Sequence, residues 1–300
     1  MRKLLAVLAA STLLLAACAS ETDDSTTGGT SATPVACDKE SLPTLTAGTL
    51  KVGTDNPAYS PYFQGGTPEG SSWKINDPNT GKGLESAVAY AIAEQLGYAE
   101  DEVEWVEVPF GQSFKPGPKD FDFDINQVSF KPARAEAVDF SDGYYNVNQA
   151  LLAIEGTPIT KATSIADLKQ YTLGAQAATT SYDYIANVIQ PDQDPKLYDT
   201  QNDAFIALEN GQVDGVVADF PTALYVADPY VQQVKNSVIA GQFPTVGEQE
   251  YFALVLEKDS PLTECVNQAI QTLKGDGALE DIQSKWLSEK TNVGEVPVLQ

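Results

Sequence analysis

The sequence contains no histidine, and this absence narrows the chemistry that the protein can perform. Without histidine there is no Ser-His-Asp or Cys-His catalytic set and no imidazole ligand for zinc. The sequence also lacks a Gly-x-x-x-x-Gly-Lys phosphate loop and a dinucleotide-binding glycine fingerprint. We therefore expect neither a cofactor nor a metal ion, although the abundant carboxylates leave a glycosidase-like pair open.

Basic residues are also scarce. There are 18 lysines and arginines against 42 aspartates and glutamates, which gives a formal net charge of -24. Nucleic acids and anionic lipid headgroups are bound by clustered Lys and Arg side chains. The composition therefore argues against nucleic acid as a partner and against direct binding to anionic headgroups.

The N-terminus has the pattern of an export signal. Arg2 and Lys3 precede the apolar run from Leu4 to Leu15, which is too short to span a bilayer comfortably. The end of this run, Leu15-Ala16-Ala17-Cys18, resembles a bacterial lipobox. We expect residues 1–17 to be a lipoprotein signal peptide and Cys18 to carry a lipid anchor. An ordinary secretory signal or an uncleaved anchor are the alternatives, and all three place the protein outside the cytoplasm.

Residues 18–44 are predicted to be a flexible tether. The segment from Ala19 to about Val35 consists mainly of Ser, Thr, Gly, Ala and Asp and has no apolar periodicity, so it buries too little surface to fold. Two cysteines follow Cys18, namely Cys37 and Cys265. In an oxidising compartment a disulfide between them is the simplest hypothesis, and two free thiols are the alternative.

The remaining chain is long enough for two lobes. Strand-like apolar runs alternate with helical patterns, which favours an α/β fold. The predicted strands are Leu50 to Gly53, Val103 to Val108, Asp124 to Val128, Gln149 to Ile154, Val213 to Ala218 and Tyr251 to Leu256. Asp120, Asp122 and Asp124 alternate with apolar residues, which favours a solvated strand face over a calcium site.

Six segments resemble, in order, the family 3 extracellular solute-binding proteins, which are the amino-acid receptors of ABC importers. The most diagnostic is Ser129 to Arg134 followed by Val138 to Tyr145. The others are Leu50 to Tyr62, Gly83 to Gly97, Leu168 to Thr180, Asn210 to Asp219 and Gly275 to Trp286.

This resemblance implies a type II periplasmic-binding-protein fold, with two α/β lobes and two crossover strands as the hinge. We expect lobe 1 to comprise residues 45–148 and 252–290, lobe 2 residues 149–251, and a C-terminal tail residues 291–300. The crossovers should lie near Gln149 to Ile154 and Tyr251 to Leu256.

The resemblance also implies the function and its residues. A free amino acid would bind between the lobes, with its carboxylate on Arg134 and its ammonium on Asp219. For each residue there is a simpler role: Arg134 as a surface charge and Asp219 as a helix cap. The remaining family positions are Ser129 and Thr180 beside the carboxylate, Tyr59 and Phe110 around the ligand side chain, Asp55 at its distal end, and Gln127.

The resemblance leaves the ligand open and has departures. A polar or charged amino acid is expected, with a slight preference for a cationic one because of Asp55, whereas Asn126 and Gln127 also suit an amide or acidic side chain. The Pro- and Gly-rich segment Gly111 to Lys119 replaces an apolar helix that is usual in the family. We expect a monomeric receptor that delivers its ligand to the permease subunits of an ABC importer. A small-carboxylic-acid dehydratase on the same fold and a ligand sensor are the rival functions.

Overall fold

The computed structural model describes residues 37–231, 233–288 and 296–300. The predicted signal peptide, the lipidation site Cys18 and most of the predicted tether lie outside these ranges. In the described ranges, ten strands form two sheets. The strands are β1 Leu50–Thr54, β2 Val103–Glu107, β3 Phe123–Asp124, β4 Asp139–Asn146, β5 Gln149–Ile154, β6 Leu173–Gln176, β7 Lys196–Tyr198, β8 Gly215–Asp219, β9 Ser237–Gln242 and β10 Tyr251–Leu256.

In the part of the chain that the structure describes, six helices lie between strands, as the alternating patterns predicted, and two follow β10. They are α1 Leu84–Gln95, α2 Phe110–Ser113, α3 Pro132–Ala135, α4 Thr180–Tyr184, α5 Gln201–Glu209, α6 Phe220–Ala227, α7 Thr263–Gly275 and α8 Ala278–Gln283. Short 3-10 turns connect several of them, and a π-helical turn, Ile185–Ile189, continues α4.

Lobe 1 is built on the sheet with strand order β2-β1-β3-β10-β4. β1 is parallel to β2 and β3, and β10 is antiparallel to both its neighbours. Leu84, Val88 and Ile92 form the buried stripe of α1 and pack in the same core as α7 and α8. α1 can start at this depth because Gly83 has φ 97° and a Cβ there would lie 2.3 Å from the Tyr62 carbonyl oxygen.

Lobe 2 is built on the sheet with strand order β7-β6-β8-β5-β9. Its central strands are buried on both faces. On one face α5 and α6 pack against residues such as Val216, and on the other Val217 packs in a core with Leu168 and Ile185. This explains why β5 and β8 read as almost continuous apolar runs.

The chain passes between the lobes at two adjacent places. Val147 and Asn148 connect β4 to β5, and residues 243–250 connect β9 to β10. The predicted crossover strands begin directly after these connections. The two passages are hydrogen-bonded to each other, from Val147 N to Glu250 O at 3.0 Å and from Phe243 N to Gln149 O at 2.8 Å.

The C-terminal segment 296–300 lies on lobe 2. Val298 forms a parallel bridge with Gln242 at the β9 edge, and Leu299 is buried in the lobe 2 core. Gly241 is required at this contact, since a Cβ there would lie 2.5 Å from Leu299 Cγ.

The disulfide hypothesis is confirmed, because Cys37 and Cys265 are bonded across a sequence separation of 228. The bond attaches the first described residue to α7 and therefore to lobe 1. Across residues 37–231, 233–288 and 296–300, no helix is long and apolar enough to cross a bilayer.

Two expectations about the segment before β4 need revision. The predicted solvated face of the alternating aspartates is wrong, since Asp122 and Asp124 are buried and only Asp120 is exposed. Asp122 is held inside because its carboxylate accepts from the Leu45 and Lys51 backbone N-H groups, both at 2.7 Å. The predicted strand from Asp124 to Val128 is also wrong in extent, because β3 covers only Phe123–Asp124.

Candidate ligand-binding site

A cavity of about 160 Å³ lies between the lobes and is lined by residues from both. Its lobe 1 wall includes Thr54, the last residue of β1, and Asp55, which follows it. Its lobe 2 wall includes Asp219, the last residue of β8. Polar groups at the carboxyl ends of strands are the usual ligand positions of α/β folds. Seven of the eight predicted ligand-binding residues line this cavity: Asp219, Arg134, Thr180, Tyr59, Phe110, Asp55 and Gln127.

Arg134 is a buried cation on the lobe 1 side. Apart from Arg2 it is the only arginine of the chain, and its side chain is not a surface charge because the residue is 7% exposed. Nη1 donates to the Ser129 carbonyl oxygen at 2.6 Å, and the guanidinium carbon lies 4.3 Å from the centre of the Phe114 ring. Burial lowers the pKa of Arg134 to about 10, opposed by Asp183, Glu250 and Asp219, so the group is a cation at neutral pH.

Asp219 is the acidic residue on the lobe 2 side of the cavity. It precedes α6, but its side chain makes no capping hydrogen bond and instead accepts from Gln149 Nε2 at 2.7 Å. Burial, followed by the nearby Glu250, raises the pKa of Asp219 to about 8, although the Gln149 hydrogen bond and Arg134 oppose this increase. Asp219 and Arg134 form no ion pair with each other, and both face the same cavity.

Thr180 is the first residue of α4, and its Oγ1 lies 3.4 Å from Gln149 Nε2. The helix is capped one residue earlier, by Thr179, whose hydroxyl accepts from the Tyr182 N-H at 3.1 Å. Thr180 therefore presents its backbone N-H at the helix start, where anions are stabilised.

Ser129 is the one predicted side chain that does not line the cavity. Its hydroxyl donates to Glu250 Oε1 at 2.6 Å, while its carbonyl oxygen accepts from Arg134. Ser129 thus positions Arg134 through its main chain and connects lobe 1 to the second passage between the lobes through its side chain.

A match to a family model decides the classification of the chain. The model of the bacterial extracellular solute-binding proteins, family 3, matches residues 65–289. The chain belongs to this family.

One curated relative and two solved structures are similar to this solute-binding protein over most of its length. It is 26% identical over 257 residues to the L-arginine-binding protein of Pseudomonas aeruginosa, covering 83% of this chain and 92% of that one. An ancestral arginine-binding protein bound to arginine is 29% identical with a TM-score of 0.63, covering 80% and 99%. The ancestral amino-acid-binding protein AncCDT-1, a precursor of cyclohexadienyl dehydratase, is 26% identical with a TM-score of 0.64, covering 80% and 96%.

Gln127 of this solute-binding protein is positioned by hydrogen bonds to a buried acid, Glu85. Gln127 has φ 49°, and Glu85 Oε1 accepts from its backbone N-H at 2.7 Å. The Gln127 side-chain amide and the Tyr144 hydroxyl also donate to Glu85. Burial raises the pKa of Glu85 to about 7, partly opposed by these three hydrogen bonds. Gln127 therefore contributes to the cavity wall while its side chain is committed to Glu85.

Several functional contacts of the solute-binding protein were not predicted. Three pairs join the lobes: Lys131 with Asp183, Tyr62 with Thr222 at 3.0 Å between hydroxyls, and Arg134 Nη2 with the Ala178 carbonyl at 2.7 Å. Glu250 and Gln149 are hydrogen-bonded to each other and connect Ser129 to Asp219. Each pair unites residues that are far apart in sequence, and no local pattern marks them.

Proposed function

We propose that the protein is an extracytoplasmic receptor that binds a free amino acid with a polar or charged side chain between its lobes. A ligand of this kind carries one carboxylate and one ammonium, and the cavity offers Arg134 from one lobe and Asp219 from the other. The observation that carries the proposal is that one guanidinium cation and one carboxyl group, from different lobes, line the same cavity. The predicted slight preference for a cationic side chain is supported by Asp55, whose carboxylate lines the cavity without an ion-pair partner among the described residues.

The other residues have supporting roles in this proposal. Thr180 receives the carboxylate at the start of α4, Tyr59 and Phe110 enclose the ligand side chain, and Ser129 and Gln127 shape the lobe 1 wall. Ligand contacts from both lobes favour the closed arrangement by their differential free energy. The hinge lies at the two passages, near residues 147–148 and 243–250.

Delivery of the ligand to an ABC importer is the second part of the proposal. It is supported by the names of curated relatives, such as ABC transporter arginine-binding protein 1 of Escherichia coli, which is 29% identical over 178 residues. We propose that the receptor is monomeric and is anchored to the membrane by a lipid on Cys18. We further propose that it is not an enzyme, since the curated relatives are binding proteins.

Isothermal titration calorimetry of the purified protein with the twenty amino acids tests the proposal. At least one should bind, and Arg134→Ala should abolish its binding. Leaving a carboxylate unpaired in a desolvated cleft costs about 3 kcal/mol or more, which is more than a hundredfold in Kd. The control is Lys169→Ala, which removes an exposed positive charge.

Near wild-type affinity in Arg134→Ala, or the absence of any amino-acid ligand, contradicts the proposal. Turnover of a hydroxy-carboxylic acid with release of water would instead support a dehydratase, the activity named for a descendant of AncCDT-1.

A further inference from the structure

Three side chains on the cavity wall have buried polar atoms without a hydrogen-bond partner. Among the described residues, five side chains carry such atoms, and three of them, Thr54, Asn126 and Gln201, line this cavity. Buried polar groups are normally paired, so a concentration of unpaired ones around a cavity indicates groups that a ligand satisfies.

Two of the unpaired atoms are amide nitrogens, Asn126 Nδ2 in lobe 1 and Gln201 Nε2 in lobe 2. An amide NH2 group only donates hydrogen bonds, and it needs an acceptor on the ligand. Asn126 is 4% exposed, so bulk water does not replace that acceptor.

Asp55, on the same wall of the cavity, is a hydrogen-bond acceptor and requires a donor on the ligand. Its carboxylate accepts from the Asn56 N-H at 3.1 Å and from the Phe110 N-H, and carboxylate oxygens can accept further bonds. β1 and β3 are paired in parallel with Gly53 opposite Asp124, so continuing this register places Asp55 opposite Asn126. An acceptor and a donor therefore follow the ends of adjacent strands.

The lobe 2 side of this region is the start of α5. Tyr59 connects the two sides, because both Asp55 and Asp203 of α5 raise the pKa of its hydroxyl, after burial as the largest cause. Gln201, the first residue of α5, thus brings the second unpaired donor from the opposite lobe.

We propose that the preferred ligand is an amino acid whose side chain ends in a neutral carboxamide or ureido group, which donates to Asp55 and accepts from Asn126 and Gln201. This inference rests on the proposed function and revises its slight cationic preference, which followed from Asp55 alone, because the two unpaired amide donors require an acceptor on the ligand. A guanidinium or ammonium satisfies Asp55 but brings only donors, so both amide nitrogens stay unpaired. A side-chain carboxylate is repelled by Asp55. No second cation compensates this repulsion, because Arg134 is the only cationic residue among the described residues that line the cavity.

Calorimetry of the purified protein with glutamine, asparagine, citrulline, arginine, lysine and glutamate tests the ligand class. The tightest carboxamide or ureido ligand should bind at least tenfold more tightly than arginine, lysine or glutamate. Arginine or lysine binding as tightly as every neutral ligand overturns the inference, while sensitivity to Arg134→Ala would still support the proposed function. If no amino acid binds, both are overturned.

A second measurement uses Asn126→Asp, which exchanges the donor for an acceptor. The preference should reverse, with at least a tenfold loss for the neutral ligand and a gain for arginine. Gln201→Leu should weaken the neutral ligand several-fold and leave arginine affinity unchanged, and its thermal unfolding confirms that it is folded. Gln170→Glu makes the corresponding isosteric amide-to-acid change at an exposed position outside the cavity and is the matched control. An unchanged ligand preference in Asn126→Asp overturns the inference.

Discussion

Arg134 Nη2, in lobe 1, donates a hydrogen bond to the backbone carbonyl oxygen of Ala178, in lobe 2, at 2.7 Å. Ala178 immediately precedes the residues that cap and begin α4, and it has φ 63°. The proposed carboxylate-binding group is thus also one of the contacts that hold the lobes together. A substitution of Arg134 therefore changes ligand contacts and lobe closure simultaneously.

The first prediction concerns Arg134→Lys. A lysine keeps the charge but has no planar fork, so it cannot serve the Ser129 carbonyl, the Ala178 carbonyl and a ligand carboxylate together, nor stack on Phe114. Calorimetry should show at least a tenfold loss of affinity. A variant with the wild-type Kd would mean that the charge alone is sufficient.

The second prediction concerns protons released from Asp219. Burial and Glu250 raise the pKa of its carboxyl to about 8, so at pH 7 most ligand-free molecules hold a proton there. A bound ammonium favours the carboxylate, and the proton leaves. Affinity should therefore increase as the pH rises from 6 to 8, and calorimetry in buffers of different ionisation enthalpy should detect the release.

The matched variant for this effect is Glu250→Gln. It removes the like charge beside Asp219, so the rise in affinity should move to lower pH. An affinity that is constant between pH 6 and 8 in the unmodified protein would contradict the assignment of Asp219.

The third prediction concerns the ion pair between Lys131 and Asp183, which joins the lobes at the cleft rim. Their side chains are 28% and 38% exposed, so the pair should contribute about 0.2 to 1 kcal/mol to closure. Lys131→Ala should weaken ligand binding by up to about fivefold at low salt. The loss should shrink at 1 M NaCl.

A double-mutant cycle with Asp183→Asn separates this pair from other effects of the substitutions. The two changes should be less than additive in Kd. Full additivity would show that the contact does not act on closure.

The fourth prediction concerns Glu85, whose pKa burial raises from the usual 4.5 to about 7. Between these values the folded protein keeps a proton that the unfolded chain has lost. The free energy of unfolding should therefore fall as pH rises from 4.5 to 7, by at most about 1.4 kcal/mol per pH unit for this group, and level off above 7.

Urea unfolding of Glu85→Gln at pH 5, 6 and 7 measures this contribution. The variant should have a shallower pH dependence than the unmodified protein. Glu94→Gln, an exposed change on the same helix α1, should keep the original dependence. Equal slopes for the two variants would rule out Glu85 as a source of the effect.

Sequence patterns were sufficient where burial is continuous along the chain. β5 and β10 have the predicted bounds because both are unbroken apolar runs, and α1 ends before Gly97 as its spacing indicated. β4 was not predicted as a strand, because Ser141, Asp142 and Gly143 interrupt its apolar residues, and its pairing with β10 contains register shifts. The pattern was misleading at Asp122, where two backbone N-H groups hold a carboxylate inside.

The candidate site could be predicted from the sequence only in part, because some of its residues are positioned by long-range contacts. Arg134 and Asp219 stand in recognisable motifs, and both line the cavity. Glu250 and Gln149 have no such motif, because they gain their positions from contacts between the two passages. The proposed roles of Asn126 and Gln201 can be recognised only in the structure, where their amide nitrogens are buried without a hydrogen-bond partner.

The positions of the two described chain ends have a practical consequence. The disulfide fixes Cys37 to lobe 1, while the bridge at Val298 and the buried Leu299 fix the C-terminal segment to lobe 2. Fluorophores attached near residue 37 and at Gln300 would therefore move with different lobes. The energy transfer between such a pair would report hinge motion directly, without dyes in the cleft.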